Sequence, residues 1–300
     1  MQCVRYQNQV SEFITLKGGL PQGTKFGPLG FLAKFNDAVR TDSTEGRVQS
    51  LKYVDDMTII EKSRVGDNES VQTTLNDFCE WAELNDMTLN PDKCVNMNVT
   101  FMQNPPEGQP LQMCSKDLQI VDKVKILGVT ISSNLKWDCH VSNIVRKASN
   151  KLYMLKLLKK FNLSVSDLIT IYNRGYVRPL LEYAVPVWNA AITDSHVNML
   201  ERVQKRALRI ILGPEYICYD HALGLCNLTN LQVRRKKLCF KFAMNMYESD
   251  VFSDWLPMKV ADKVQYSLRN ANHLTKIRCR TNRYKNSAIP YFVDLLNEFM

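Results

Sequence analysis

The spacing of apolar residues changes partway along the chain, and with it the kind of structure the sequence predicts. The opening stretch reads as a strand CVRYQ, a turn at Asn8-Gln9 and a strand VSEFITL that ends at Gly18-Gly19. Pro21, Gly23, Gly27, Pro28 and Gly30 predict irregular backbone until GFLAKFNDAVR (30–40), which suits a short helix. In LKYVDDMTII (51–60) two apolar halves flank Asp55 and Asp56, predicting a hairpin with carboxylates at its tip. Val71, Leu75, Phe78 and Ala82 then fall on one face of an amphipathic helix. Val95, Met97, Val99 and Phe101 alternate with Asn96, Asn98 and Thr100, the period of a strand with one buried face. Past the Pro- and Gly-rich loop 105–110, KVKILGVTIS (123–132) reads as one further strand. The front region is thus α+β.

After Trp137 the spacing becomes helical. Val141, Ile144, Val145, Ala148, Leu152, Leu155 and Leu158 make an apolar stripe, and Arg146, Lys147, Lys151, Lys156, Lys159 and Lys160 are assigned to the opposite face. Ser164, with Asp167 three residues on, opens a second helix. Pro179 and Pro186 break or kink the next segment. Residues 195–212 form a third helix, with Val197, Leu200, Val203, Ala207 and Ile211 inward, stopped by Gly213-Pro214. Thr229 is the expected cap of a fourth, which carries RRKK at 234–237. The main boundary is placed between residues 133 and 134.

Charge divides at the same place. Residues 1–137 carry a net −3 and residues 138–300 a net +12. A basic rear beside an acidic front suggests that the rear meets a polyanion. Residues 141–160 contain six basic and no acidic side chains, and 263–285 contain seven and none. The second segment, interleaved with Tyr266, His273 and Tyr284, suits stacking on unpaired bases. The nine cysteines are scattered, with no CxxC, which argues against a disulfide framework or a zinc ribbon. Cys218, His221, Cys226 and Cys239 fit no standard zinc spacing and read as free thiols. No uncharged apolar run approaches the roughly 18–20 residues of a membrane helix, and the N-terminus lacks a signal-peptide core. A soluble, intracellular protein is the expectation.

Two adjacent carboxylates repel and raise one another's pKa unless a cation sits between them. Hard cations such as Mg²⁺ take oxygen ligands, and phosphoryl transfer commonly clamps the reacting oxygens between two ions. Asp55 and Asp56 are therefore either metal ligands or solvated turn residues. Their surroundings point one way. GGLPQGTKFGPLGF, YVDD, LNDMTLNPDKC and KILGVTISSNLKW, in this order, resemble the later palm motifs of reverse transcriptases, and more narrowly those of non-LTR (LINE), jockey-like retrotransposons of animals. CHVSNIVRKASNKLYMLKLLKK, VRPLLEYAVPVWN, LERVQKRALRIILG and TNRYKNSAIPYF extend the resemblance over nearly the whole chain.

The resemblance implies a partial polymerase palm over 1–133, an antiparallel sheet with packed helices. It implies thumb-like helices over 134–190 and a basic helical region over 191–300. Pro21, Gln22 and Gly23 would shape the floor beneath the incoming nucleotide, with Tyr53 beside it. Asp55 and Asp56 would bind Mg²⁺ (two ions, with Mn²⁺ as a substitute), and Lys93 would neutralise the pyrophosphate leaving group. Gly128 in the primer-holding region would admit nucleic-acid backbone; Trp137 either lies there too or packs the palm–thumb junction. Arg146, Lys147, Lys151, Lys156, Lys159, Lys160, Arg278, Arg280 and Arg283 would grip phosphates. The implied partners are an RNA template, a DNA primer and deoxynucleoside triphosphates, with no membrane, and the implied setting is the nucleus and a cytoplasmic ribonucleoprotein.

One element of the pattern is missing. The two-metal site requires a further Asp upstream of PQG, and residues 1–17 hold Glu12 and no Asp. The expectation is therefore the C-terminal part of such an enzyme, inactive as this chain. The alternative is a non-catalytic nucleic-acid-binding remnant.

Overall fold

The computed structural model describes residues 1, 3–15, 24–38, 48–62, 69–104, 110–263 and 271–299. Their contacts divide the chain into two compact units, Met1–Asp122 and Lys123–Met300.

The front unit is mixed helix and strand. β1 (Arg5–Tyr6) and β2 (Gln9–Val10) pair antiparallel around Gln7-Asn8, one residue ahead of the expected turn, with Gln7 at φ 52°. α1 (Phe26–Asn36) starts earlier than composition suggested. Pro28 lies in its first turn, where a missing N–H breaks no helical bond. β3 (Val48–Tyr53) and β4 (Asp56–Glu61) form the expected hairpin. α2 (Glu69–Leu84) buries Leu75, Phe78 and Ala82 as its spacing requires.

Phe35 of α1 meets Phe78 and Trp81 of α2 edge-on, at centroid distances of 6.4 and 6.1 Å. Lys34 Nζ donates to the Asn85 carbonyl (2.7 Å), and Lys52 Nζ of β3 donates to the carbonyls of Asn36 (2.9 Å) and Ala38. These contacts fix the hairpin against the end of α1.

The strand predicted over 95–101 is largely absent. Only β5 (Val95–Asn96) forms, pairing parallel with β8 (Gln119–Ile120), while β6 (Gln112–Met113) and β7 (Lys116–Asp117) make a separate antiparallel hairpin. An alternating pattern forms a ladder only where a partner offers hydrogen bonds, and here β8 offers two residues. Val99 and Phe101 remain exposed. The expected single antiparallel sheet is likewise replaced, among the described residues, by two-stranded ladders.

The rear unit opens with two strands where the sequence reads as one. KVKILGVTIS is two strands, β9 (Lys123–Ile126) and β10 (Val129–Ser132), joined at Leu127-Gly128. It packs with the helices behind it: the Thr130 N–H donates to His140 Nδ1 (3.2 Å) on α3 (Asp138–Lys160). That docking, formed across the break in periodicity near 134, puts the hairpin in the rear unit.

α4 (Val165–Thr170) is capped by Ser164, which accepts from the Asp167 N–H (3.1 Å). Pro179 and Pro186 sit in the first turns of α5 (Arg178–Glu182) and α6 (Val185–Trp188), so each proline starts a new short helix. α7 (Asp194–Leu212) begins at Thr193 and ends at Gly213, whose φ of 60° suits glycine. α3 and α7 run parallel, because Asp138 meets His196 (3.1 Å) at their starts and Lys159 Nζ reaches the Ile211 carbonyl near their ends.

α8 (Tyr219–Leu225), α9 (Leu231–Tyr247), α10 (Val260–Lys263), α11 (Asn282–Lys285) and α12 (Ala288–Phe299) complete the unit. The cap of α9 is Asn230 and not Thr229, whose carbonyl instead accepts from Gln204 Nε2 (3.0 Å). Leu152, Leu155, Leu168, Tyr172, Leu181, Trp188, Leu200 and Leu296 form the fully buried centre. Gln204 runs through it, accepting from the Tyr172 hydroxyl (2.6 Å) and donating to that of Tyr219 (2.9 Å), so α7 and α8 close over satisfied polar groups.

Candidate active-site hairpin and nucleic-acid surface

The register of β3 and β4 places Tyr53 opposite Asp56, leaving Val54 and Asp55 as a two-residue loop. Val54 has φ 56°. A β-branched residue in the left-handed region costs roughly 1–3 kcal/mol and persists only where its surroundings enforce it; such strain concentrates at functional sites. Asp55, Asp56 and Tyr53 are exposed, and neither carboxylate pairs with another described side chain. Beneath the tip, burial pulls the Lys52 ammonium below its ordinary pKa, and Asp37 opposes that shift.

Carboxylate oxygens are donors of the hardness Mg²⁺ requires, but Mg²⁺ demands near-octahedral coordination and sheds water reluctantly. Among the described residues no group of three or more His, Cys, Asp or Glu is arranged to hold a metal. Asp55 and Asp56 by themselves would make only a partial donor set, presented from one turn. The described residues do not complete a two-ion site.

Pro21, Gln22 and Gly23 lie outside the described residues. Lys93 ends a short turn, Pro91–Lys93, capped by Asn90, which accepts from the Asp92 N–H (3.1 Å). Its side chain is exposed and makes no ion pair among the described residues, while the neighbouring Asp92 pairs with Lys116.

Gly128 has a structural use. Leu127 and Gly128 both take positive φ (45° and 86°), as a two-residue hairpin loop of the primed type requires. A Cβ on Gly128 would stand 3.1 Å from Cε1 of Tyr183, whose hydroxyl donates to the Leu127 carbonyl (2.7 Å). The group approaching this glycine is a tyrosine ring of the same unit. Trp137 precedes α3, edge-on to His140 (5.9 Å) and partly buried on the helical core.

The basic residues of α3 do not share one outer face. Lys159 is turned inward, bonded to α7, and Lys151 lies over the Tyr176 ring (4.5 Å). Arg146, Lys147, Lys156 and Lys160 remain exposed, with no carboxylate partner among the described residues. Arg278 and Arg280 are exposed on a segment without helix or strand, whose Ile277 packs on the core. Arg283 lies in α11 and is also exposed. Tyr266 lies outside the described residues.

The sequence pattern did not single out Arg202 and Arg206. One turn apart on α7, they line a hollow of about 260 Å³ with Val145, Ser149, Met199 and Val203. Neither meets a carboxylate among the described residues. Their i, i+4 spacing opposite the inward stripe of 195–212 was the available signal.

Residues 1–131 match the reverse transcriptase (RNA-dependent DNA polymerase) family. The chain is 27% identical over 227 residues to a probable RNA-directed DNA polymerase from transposon X-element of Drosophila melanogaster, covering 74% of this chain and 24% of that relative. It is 27% identical over 287 residues to the RNA-directed DNA polymerase from mobile element jockey of the same species, covering 93% of this chain and 30% of the relative. The jockey counterpart of Drosophila funebris is 28% identical over 206 residues, covering 66% and 22%. The chain thus spans between a fifth and a third of the length of these relatives. No solved structure matches it.

Proposed function

We propose, from the premise that the chain belongs through residues 1–131 to the reverse transcriptase family, that it is part of a non-LTR retrotransposon enzyme that copies an RNA template onto the 3′ hydroxyl of a DNA primer. The observation that carries this reading is the YVDD hairpin: paired strands in register, a strained Val54, and two exposed aspartates with no partner to neutralise them among the described residues. A β-branched residue held in the left-handed region is costly and persists where function or packing enforces it.

In the whole enzyme Asp55 and Asp56 hold divalent metal, Mg²⁺ or Mn²⁺, which supplies charge neutralisation at the reacting phosphate. Tyr53 stands beside them, and Pro21, Gln22 and Gly23 form the nucleotide floor. Lys93 serves the leaving pyrophosphate. In this reading residues 1–133 are palm, 134–190 thumb and 191–300 a basic helical extension. The donor set of Asp55 and Asp56 needs a further carboxylate opposite them, and no group of three or more such donors stands among the described residues; on this reading the 300-residue chain does not extend a primer by itself.

The second reading, a nucleic-acid-binding remnant, draws on the exposed cations of α3 and α7 that meet no carboxylate among the described residues, Arg146, Lys147, Lys156, Lys160, Arg202 and Arg206. It shares the phosphate surface of the first and lacks the chemistry. Incorporation of deoxynucleotides by the whole-length protein, with a primed RNA template and Mg²⁺, separates them. Template-dependent product supports the polymerase; binding without product supports the remnant.

A further inference from the structure

Although the cysteines are scattered in sequence, the fold brings two together. Cys79 projects from α2 and Cys114 lies in the turn between β6 and β7, with their Sγ atoms 3.1 Å apart. A disulfide is about 2.05 Å long, so closure needs a movement of about 1 Å. The approach is held from two sides. Gln72, two turns earlier on α2, accepts from the Gln112 N–H and donates to the Gln112 carbonyl, both at 2.8 Å, which fixes β6 against the helix. Met113 and Leu118, on either side of the turn, are buried in the cluster that holds Leu75 and Phe78. Cys114 is exposed and Cys79 half-buried, so small oxidants reach the pair. The hydrogen bond to Cys79, followed by burial, pushes the Cys114 thiol up to about 11, so it keeps its proton at neutral pH.

We propose that Cys79 and Cys114 form a reversible oxidation site, closing an intramolecular disulfide in the presence of a peroxide. The Cys79 sulfur attacks a peroxide oxygen, since Cys114 is held protonated: an S–O bond forms, the O–O bond breaks, and the departing oxygen leaves as water with the thiol proton. The second sulfur then attacks the first, forming S–S and breaking S–O, and its proton leaves with the hydroxyl as a second water. The two sulfurs give up two electrons and the peroxide takes them. The disulfide closes the loop 79–114, fastening the segment that carries Lys93 to α2. Cys94 is near enough to both thiols for their charges to be felt, yet the three make no metal-holding group among the described residues.

The test is peptide mapping by mass spectrometry after brief hydrogen peroxide treatment of the folded 300-residue chain and trapping with N-ethylmaleimide. The expected product is a Cys79–Cys114 linked peptide lighter by two hydrogens, with free thiols falling from nine to seven and returning on dithiothreitol treatment. Cys79→Ser and Cys114→Ser each abolish the link, and Cys94→Ser keeps it. A Cys79–Cys94 link, an intermolecular link, or oxidation of exposed Cys218 while the pair stays reduced overturns the proposal. Mapping of the unmutated chain decides the matter even if a serine variant fails to fold.

Discussion

Replacing Gly128 with alanine separates two explanations of that residue. The structure sets two costs. At φ 86° a Cβ meets the following carbonyl, a penalty of about 1–2 kcal/mol for an L-residue. The same Cβ stands 3.1 Å from Tyr183 Cε1, so the ring must retreat, although its hydroxyl holds the Leu127 carbonyl at 2.7 Å. Weakening that bond costs about 0.5–1.5 kcal/mol, at the low end because Tyr183 is exposed. Together, Gly128→Ala should destabilise the β9–β10 hairpin by about 2 kcal/mol. Hydrogen exchange of the Val129–Ser132 amides and urea unfolding of the chain measure it. In Gly128→Ala/Tyr183→Ala the steric part should vanish, so the double variant loses less than the single losses add to. If Gly128→Ala shifts stability by under about 0.5 kcal/mol, the range of an ordinary surface change, while RNA–DNA hybrid affinity falls, the packing explanation is refuted.

The rear unit supplies four further tests. Leu155→Ala, at a fully buried position, should lower the unfolding free energy by about 2–5 kcal/mol, read from the urea midpoint. Burial, with Lys147 adding to it, holds His140 below the ordinary imidazole pKa, so the unfolded chain binds this proton first as pH falls. Stability should therefore decline below about pH 6.5, and His140→Gln should remove that part of the decline in urea titrations across pH. Replacing Arg202 and Arg206 with glutamine should flatten the slope of log affinity against log salt for a hybrid duplex by about 0.9 for each phosphate the two arginines neutralise. Lys159→Gln should leave that slope unchanged and lower stability, since Lys159 is bonded to the Ile211 carbonyl.

Legibility in the sequence followed the range of the forces involved. Amphipathic spacing and local caps found α2, α3 and α7, because a helix makes its own hydrogen bonds and needs only a buried stripe. The hairpin carrying Asp55 and Asp56 was legible for a related reason, since its two strands are one another's partner. Strands that depend on distant partners were not. The segment 95–101 alternates faultlessly and pairs over two residues, because β8 offers no more. The β9–β10 hairpin was hidden by its loop, Leu-Gly, in which leucine takes a left-handed conformation usually left to Asn, Asp or Gly. At the candidate site, charge counting identified Lys159 and Lys151 as surface cations, but only tertiary contacts show that one bonds to α7 and the other lies over Tyr176. Cys79 and Cys114 meet through the docking of β6 on α2, a contact no local pattern announces.

If the exposed aspartates of the YVDD tip are metal-binding groups of an RNA-directed DNA polymerase, synthesis must depend on their charge. The most direct measurement is primer extension on an RNA template with Mg²⁺, comparing the whole-length protein, its Asp55→Asn variant and the 300-residue chain. Losing one oxygen charge from the metal's donor set should abolish synthesis in Asp55→Asn while the protein still folds and binds hybrid, and the 300-residue chain should bind without extending. Full activity in Asp55→Asn would contradict the site, and template-dependent synthesis by the 300-residue chain would contradict the need for a further carboxylate.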